Sequence, residues 1–262
     1  MTLGYCPLFS SSSGNAGVVF SENTRILVDA GKPGRAITDA LKETGIAPES
    51  INGIVVTHEH TDHTKGVGIM SRKFGIPVYA NAPTWEAMEY TVGEIKLANT
   101  RVFETGEDFY IGDINVLPYA VSHDAAEPVG YSFTHGGRTM AQLTDTGCVT
   151  KQMFGFIENA ELLLIESNHD VDMLKNGRYP MQLKRRILGS HGHLSNVTAG
   201  NLCAMLCQTK KRRFILGHLS PENNTEEIAM RTVSQLLYDS GIDDAELYIA
   251  KKDRPTAIFG ID

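Results

Sequence analysis

Residues 58–63 read His-Glu-His-Thr-Asp-His and follow a short apolar run, Gly53-Ile54-Val55-Val56. Side chains alternate along extended backbone, so His58 and His60 point the same way, and two neutral imidazoles on one side can hold a cation. Asp62 and His63 lie where the chain turns. Their side chains can reach a second cation beside the first, at the separation of about 3.5–4 Å that two-metal hydrolases use. Four neighbouring side chains cannot enclose two metals, so further ligands must come from distant parts of the chain. His123 is the candidate to complete the first site, Asp145 to bridge the two, and His218 to complete the second. Nitrogen and carboxylate donors without thiolate suit two divalent ions of zinc, manganese or iron.

These candidates share a position in the chain. Asp29, His58, His123, Asp145, Glu166 and His218 each come just after a run expected to be a strand. Strand ends of layered α/β proteins commonly present the active site, so one shared rim is expected. Strands are expected near residues 3–9, 16–21, 25–29, 53–57, 78, 102, 109, 115–121, 130–134, 139–143, 161–165, 213–216, 246–250 and 256–259. Helical patterns cover 37–42, closed by Gly45, then 83–90, 180–188, 196–207 and 226–238. Short strands alternating with longer helices make a layered α/β protein, with antiparallel pairs among the closely spaced middle strands. No repeat or linker interrupts the pattern, so one domain over residues 1–262 is expected.

The composition excludes several classes. Apolar residues at 42% and charged residues at 21% are ordinary globular usage, which argues against disorder and low-complexity architecture. The longest apolar runs, such as residues 162–165, fall far short of the roughly 18 residues of a membrane span. No secretory leader is visible, so a cytoplasmic protein with no membrane partner is expected. A net charge of −7 argues against broad binding to nucleic acid but leaves room for a local basic patch. The four cysteines form no CxxC pair and read as thiols. Homodimerisation is left open.

Further motifs carry a resemblance. The order Asp29, H-x-H-x-D-H, His123, Asp145 and His218 resembles the metallo-β-lactamase-fold hydrolases nearly end to end. Ser13-Gly14-Asn15, Ser122-His123-Asp124, Thr144-Asp145-Thr146-Gly147, residues 166–170, Tyr179-Pro180, residues 183–186, residues 192–196 and His218-Leu219-Ser220 resemble the bacterial YycJ/WalJ group within it. The resemblance implies a four-layer αβ/βα fold, two facing mixed sheets with outer helices, an α/β (in some schemes α+β) class. It also implies a metal-dependent phosphodiesterase on nucleic acid, DNA favoured, acting 5′ to 3′ with a role in DNA repair. Ser11 stands where the group usually has glycine, and Asp145 rather than Cys148 stands at the metal position. The cysteine ligand of common β-lactamases is therefore missing, and antibiotic hydrolysis is not expected.

By the same resemblance His193 is a proton donor or phosphate contact held by Glu166, and Asp29 supports the ligands from behind. Asp62 orients or deprotonates the attacking water. Asn15, Lys184, Arg185, Ser195 and Asn196 are the candidate substrate contacts. Ser195 or Asn196 can equally cap the following helix. The basic runs 184–186 and 210–213 can track a phosphate backbone, while the second can simply meet a helix C-terminus. Two other readings stand beside the nuclease. One is a hydrolase of thioesters, lactones or small phosphodiesters, or an RNA-processing nuclease, on the same fold. The other is a non-catalytic metal-binding regulator, against which the full ligand set speaks.

Overall fold

The computed structural model describes residues 3–262. The first six strands, β1 (Leu3–Phe9), β2 (Ala16–Phe20), β3 (Arg25–Val28), β4 (Gly53–Val55), β5 (Val78–Ala80) and β6 (Thr100–Val102), lie side by side in that order. The next seven build a second sheet: β7 (Phe109–Ile111), β8 (Ile114–Ala120), β9 (Val129–His135), β10 (Arg138–Leu143), β11 (Leu162–Glu166), β12 (Arg213–Gly217) and β13 (Glu246–Ile249). The last strand, β14 (Phe259–Ile261), returns to pair antiparallel with β1.

Helices α1 (Gly34–Glu43), α2 (Thr61–Thr64), α3 (Val67–Phe74) and α4 (Ala82–Val92) belong to the first half. Helices α5 (Lys151–Ile157), α6 (Val171–Asn176), α7 (Met181–Ile187), α8 (Asn196–Cys207) and α9 (Glu226–Asp239) belong to the second. Three apolar clusters separate the layers. Ile26, Val28 and Val55 of the first sheet meet Val116, Phe133, Met140 and Leu164 of the second. Leu27, Ile54 and Val78, on the other face of the first sheet, pack with Ile37, Leu41 and Met70 of the helices. Leu163 and Ile165 pack with Leu202, Cys203 and Val233 of α8 and α9. Strands buried on both faces need unbroken apolar runs, and residues 162–165, Leu-Leu-Leu-Ile, supply one. This is the expected four-layer arrangement, and β7 to β10 form the expected antiparallel pairs.

Two local expectations differ. The terminal strand starts at Phe259 rather than 256, because Thr256 serves a loop: its N–H donates to Pro7 O and its hydroxyl accepts from Lys251 N–H. Helices α5 and α6 carry no long amphipathic pattern and are defined by their caps, where Thr150 accepts from Met153 N–H and Asp170 from Met173 N–H. Among the described residues no helix is long and apolar enough to cross a membrane.

Parallel pairing sets the site. Strands β3 and β4 run parallel, as do β10, β11 and β12. Their C-terminal ends therefore emerge at one edge.

Candidate metal centre

Asp29 and His218 directly follow β3 and β12, Asp145 follows β10 after one intervening residue, and the three take positive φ values of 58°, 55° and 53° respectively. Non-glycine residues in the left-handed region are uncommon, and held there they cost about 1–3 kcal/mol. The sharp reversal aims each side chain across the strand ends. Around Asp29 the loops are laced together: Ala30 N–H donates to His63 O, Gly31 N–H to Asn15 O, and Asn15 N–H to Asp62 O. A Cβ on Gly31 would run into the Asp62 carbonyl, so only glycine lets these loops touch.

Six imidazoles gather at this edge. His58 lies 4.2–5.1 Å, centroid to centroid, from His60, His63 and His123, and His193 stacks on His218 at 5.3 Å. His58 Nε2 faces His60 Nδ1 at 3.1 Å, and with His123 they form one donor group. Asp62, His63 and His218 form a second. Asp145 joins them: Oδ2 lies 3.4 Å from His63 Nε2, Oδ1 lies 3.2 Å from His218 Nε2, and the carboxylate also groups with His58.

The donors fit divalent cations. Atoms about 2.1 Å from one tetrahedral ion lie about 3.4 Å apart, close to the spacings seen. Among the described residues Asp145 Oδ2 and His218 Nε2 are buried without a hydrogen-bond partner, a costly state for polar atoms unless a cation faces them. Behind the donors, the Nδ1 atoms of four of the histidines are occupied, which fixes ring orientation and turns Nε2 inward. His63 Nδ1 donates to Asp29 Oδ2 (2.8 Å), His218 Nδ1 to Glu166 Oε1 (2.9 Å), His58 Nδ1 to the Thr57 hydroxyl (3.0 Å) and His123 Nδ1 to Gly192 O (3.2 Å).

Protonation follows burial and neighbours. Burial, reinforced by His63 and His123, holds His58 well below the usual imidazole range, in the neutral ligand form. Burial pushes His63 down too, but Asp145 and Asp29 outweigh it and raise it to about 9. Burial would raise Asp62, yet the His218 contact and the His63 charge hold it well below the carboxylate range. Glu166 is wholly buried and stays ionised, because His193 and His218 outweigh burial. Its Oε1 accepts from His193 Nδ1 at 2.7 Å and its Oε2 from Thr146 and Leu194 N–H. Burial lowers His193, but Glu166 more than compensates and raises it.

The expected substrate contacts divide. Asn15 is buried, with Oδ1 accepting from Ser11 N–H and Nδ2 3.1 Å from His63 Nε2, so it braces the centre. Lys184 is turned away: its amine donates to Lys175 O and Gly177 O, both at 2.7 Å, at the end of α6. Ser195 caps α8, accepting from Thr198 N–H, and Asn196 is locked to Ser167 and Asn224. Arg185 is exposed, outside the cavity beside His193. The run 210–213 is structural: Arg212 donates to Leu206, Ala160 and Glu158 carbonyls and Arg213 to Gly260 O. Sequence reasoning missed that cavity, of about 170 Å³, which Tyr179, Leu183 and Arg186 line. The Tyr179-Pro180 and 183–186 motifs pointed towards it without saying which side chain faces inward.

Two facing sheets with a nitrogen and carboxylate donor set at their common edge define a metallo-β-lactamase-fold hydrolase. The chain belongs to the beta-lactamase superfamily, whose domain matches residues 24–219. It is 42% identical over 248 residues to the exodeoxyribonuclease YycJ of Bacillus anthracis, covering 95% of this chain and 94% of that protein. It is 41% identical over 262 residues to the exodeoxyribonuclease WalJ of Streptococcus pneumoniae strain D39, covering 98% of this chain and 97% of that protein. Among solved structures, the metallo-beta-lactamase fold protein YhfI of Bacillus subtilis has a TM-score of 0.75 at 17% identity, covering 98% of this chain and all 100% of that one. That likeness concerns the fold alone.

Proposed function

We propose that the protein is a dinuclear metal-dependent phosphodiesterase that degrades DNA from the 5′ end. The observation that carries the reading is Asp145, whose carboxylate groups with His58 of the first donor set and lies 3.4 Å from His63 Nε2 and 3.2 Å from His218 Nε2 of the second. His58, His60 and His123 would hold one ion, Asp62, His63 and His218 the other, with Asp145 between them. Such a pair supplies hydroxide near neutral pH and neutralises charge developing on phosphoryl oxygens. Asp62, ionised and partly open to solvent, is placed to orient the attacking water and take its proton. His193, held by Glu166 with its imidazole pKa raised, is placed to give a proton to the leaving oxygen. The names of the YycJ and WalJ relatives support DNA as substrate.

The test is digestion of end-labelled double-stranded DNA, single-stranded DNA and RNA with manganese or zinc, by wild type and Asp62→Ala in parallel. Stepwise loss from the 5′ end of DNA, abolished in the variant, is expected. Intact polynucleotides with hydrolysis of thioesters or lactones would move the assignment to a small-molecule hydrolase.

A further inference from the structure

Three cations follow one another in α7, but only one enters the cavity. Residues three and four apart share a helix face, and Leu183, Arg186 and Ile187 line the cavity together while Lys184 ties to α6 and Arg185 stays outside. Tyr179 lines it as well, and His193 forms a wall shared with the metal centre.

The Arg186 guanidinium is held by one nitrogen only. Its Nε donates to Asp124 Oδ2 at 2.5 Å, and its two terminal nitrogens have no partner among the described residues. The side chain is 56% exposed. Asp124 in turn places its Oδ1 3.4 Å from His123 Nε2. One carboxylate thus fixes the plane of the guanidinium and its distance from the candidate metal centre. A planar fork with two free donors matches the geometry of a phosphate, which a lysine would meet only as a point charge. The volume of about 170 Å³ has room for one base, with sugar and phosphate left at the open mouth beside the half-exposed Arg186, and excludes a base pair.

We propose that this cavity is a single-nucleotide subsite, in which Arg186 takes a phosphate and Tyr179, with Leu183 and Ile187, takes the attached nucleoside. The inference rests on the nuclease reading and deepens it: a strand end that must leave its duplex to enter explains action from an end. Asp124 is the positioning residue of the arrangement.

Calorimetric titration of the metal-loaded protein with deoxyadenosine 5′-monophosphate, a monoester that no phosphodiesterase consumes, tests it. Deoxyadenosine and inorganic phosphate are the separate arms. The monophosphate is expected to bind at least about tenfold more tightly than either, as joined phosphate and base contacts require. Arg186→Gln is expected to weaken the monophosphate about tenfold or more and leave deoxyadenosine unchanged. Tyr179→Ala is expected to weaken both nucleoside ligands about fivefold or more and leave phosphate unchanged, the effect of a lost stacking surface. Unchanged monophosphate affinity in Arg186→Gln overturns the proposal. A fall in thermal midpoint with that unchanged affinity would make the Asp124 pair a tie between α7 and the loop after β8. DNA digestion run alongside separates the two readings. Arg186-dependent binding without DNA cleavage retires the nuclease and keeps the subsite. Cleavage without Arg186-dependent binding does the reverse.

Discussion

The two sheets build the metal centre in different ways. The first contributes one hexapeptide, residues 58–63, backed by Asp29 from the neighbouring parallel strand. The second contributes single residues from successive strand ends and loops: His123, Asp145, Glu166, His193 and His218. Donors held in one short segment need only their own loop and one supporting carboxylate. A group drawn from β8, β10, β11 and β12 needs the register of the whole sheet, and it leans on Glu166, which serves two rings where Asp29 serves one. The first side is therefore local and the second cooperative.

The largest expected effect comes from removing the residue that joins the two sides. Asp145→Ala should lower DNA cleavage by at least about 10³-fold, beyond what loss of one transition-state donor typically costs. A loss below tenfold, measured in single-turnover digestion, would mean that the two donor groups act independently.

Next come the supporting carboxylates, whose loss typically costs 10–100-fold in metal affinity or activity. Glu166 accepts four hydrogen bonds, so Glu166→Gln sets an amide nitrogen against two N–H donors whichever way it turns. It should cost about 100-fold and Asp29→Asn about tenfold. Equal losses, read from metal titrations of both variants, would erase the asymmetry between the sheets.

Arg212 separates sheet stability from chemistry. Arg212→Ala strips partners from carbonyls at the ends of α5 and α8, and should destabilise the protein by about 2–3 kcal/mol in urea denaturation. Cleavage per folded molecule should be unchanged. The smallest effect concerns strain at Asp145: with metal chelated, Asp145→Gly should be more stable than Asp145→Ala by about 1 kcal/mol, because glycine accepts a φ of 53° freely. An alanine variant as stable as the glycine would show that this turn relaxes.

The same asymmetry decides what the sequence discloses. His58 to His63 announce themselves because period-two alternation and adjacency are readable along a line. His123, Asp145 and His218 become visible only through the apolar runs before them, since the long-range register that brings them together leaves no mark of its own. The four layers are legible for the same reason, in runs such as 162–165 that only a doubly covered strand can bury. The basic run 184–186 shows the limit. Three adjacent cations look alike in sequence, but a helix turns each about 100° from the last, so Lys184 reaches the end of α6 while Arg186 enters the cavity. Ser195 and Asn196 were ambiguous because the same polar groups suit a cap, a buried network or a phosphate, and the geometry of α8 uses them for the first two. The left-handed turns at Asp29, Asp145 and His218 are also hidden, because these are not glycines.

The proposed centre turns on Asp145 as a carboxylate shared between two donor groups, and metal content tests that most directly. After dialysis against manganese or zinc and removal of free ion, inductively coupled plasma mass spectrometry of wild type should give two ions per chain. Asp145→Ala should give fewer than one. A single ion per chain in wild type, or two retained in the variant, would contradict it.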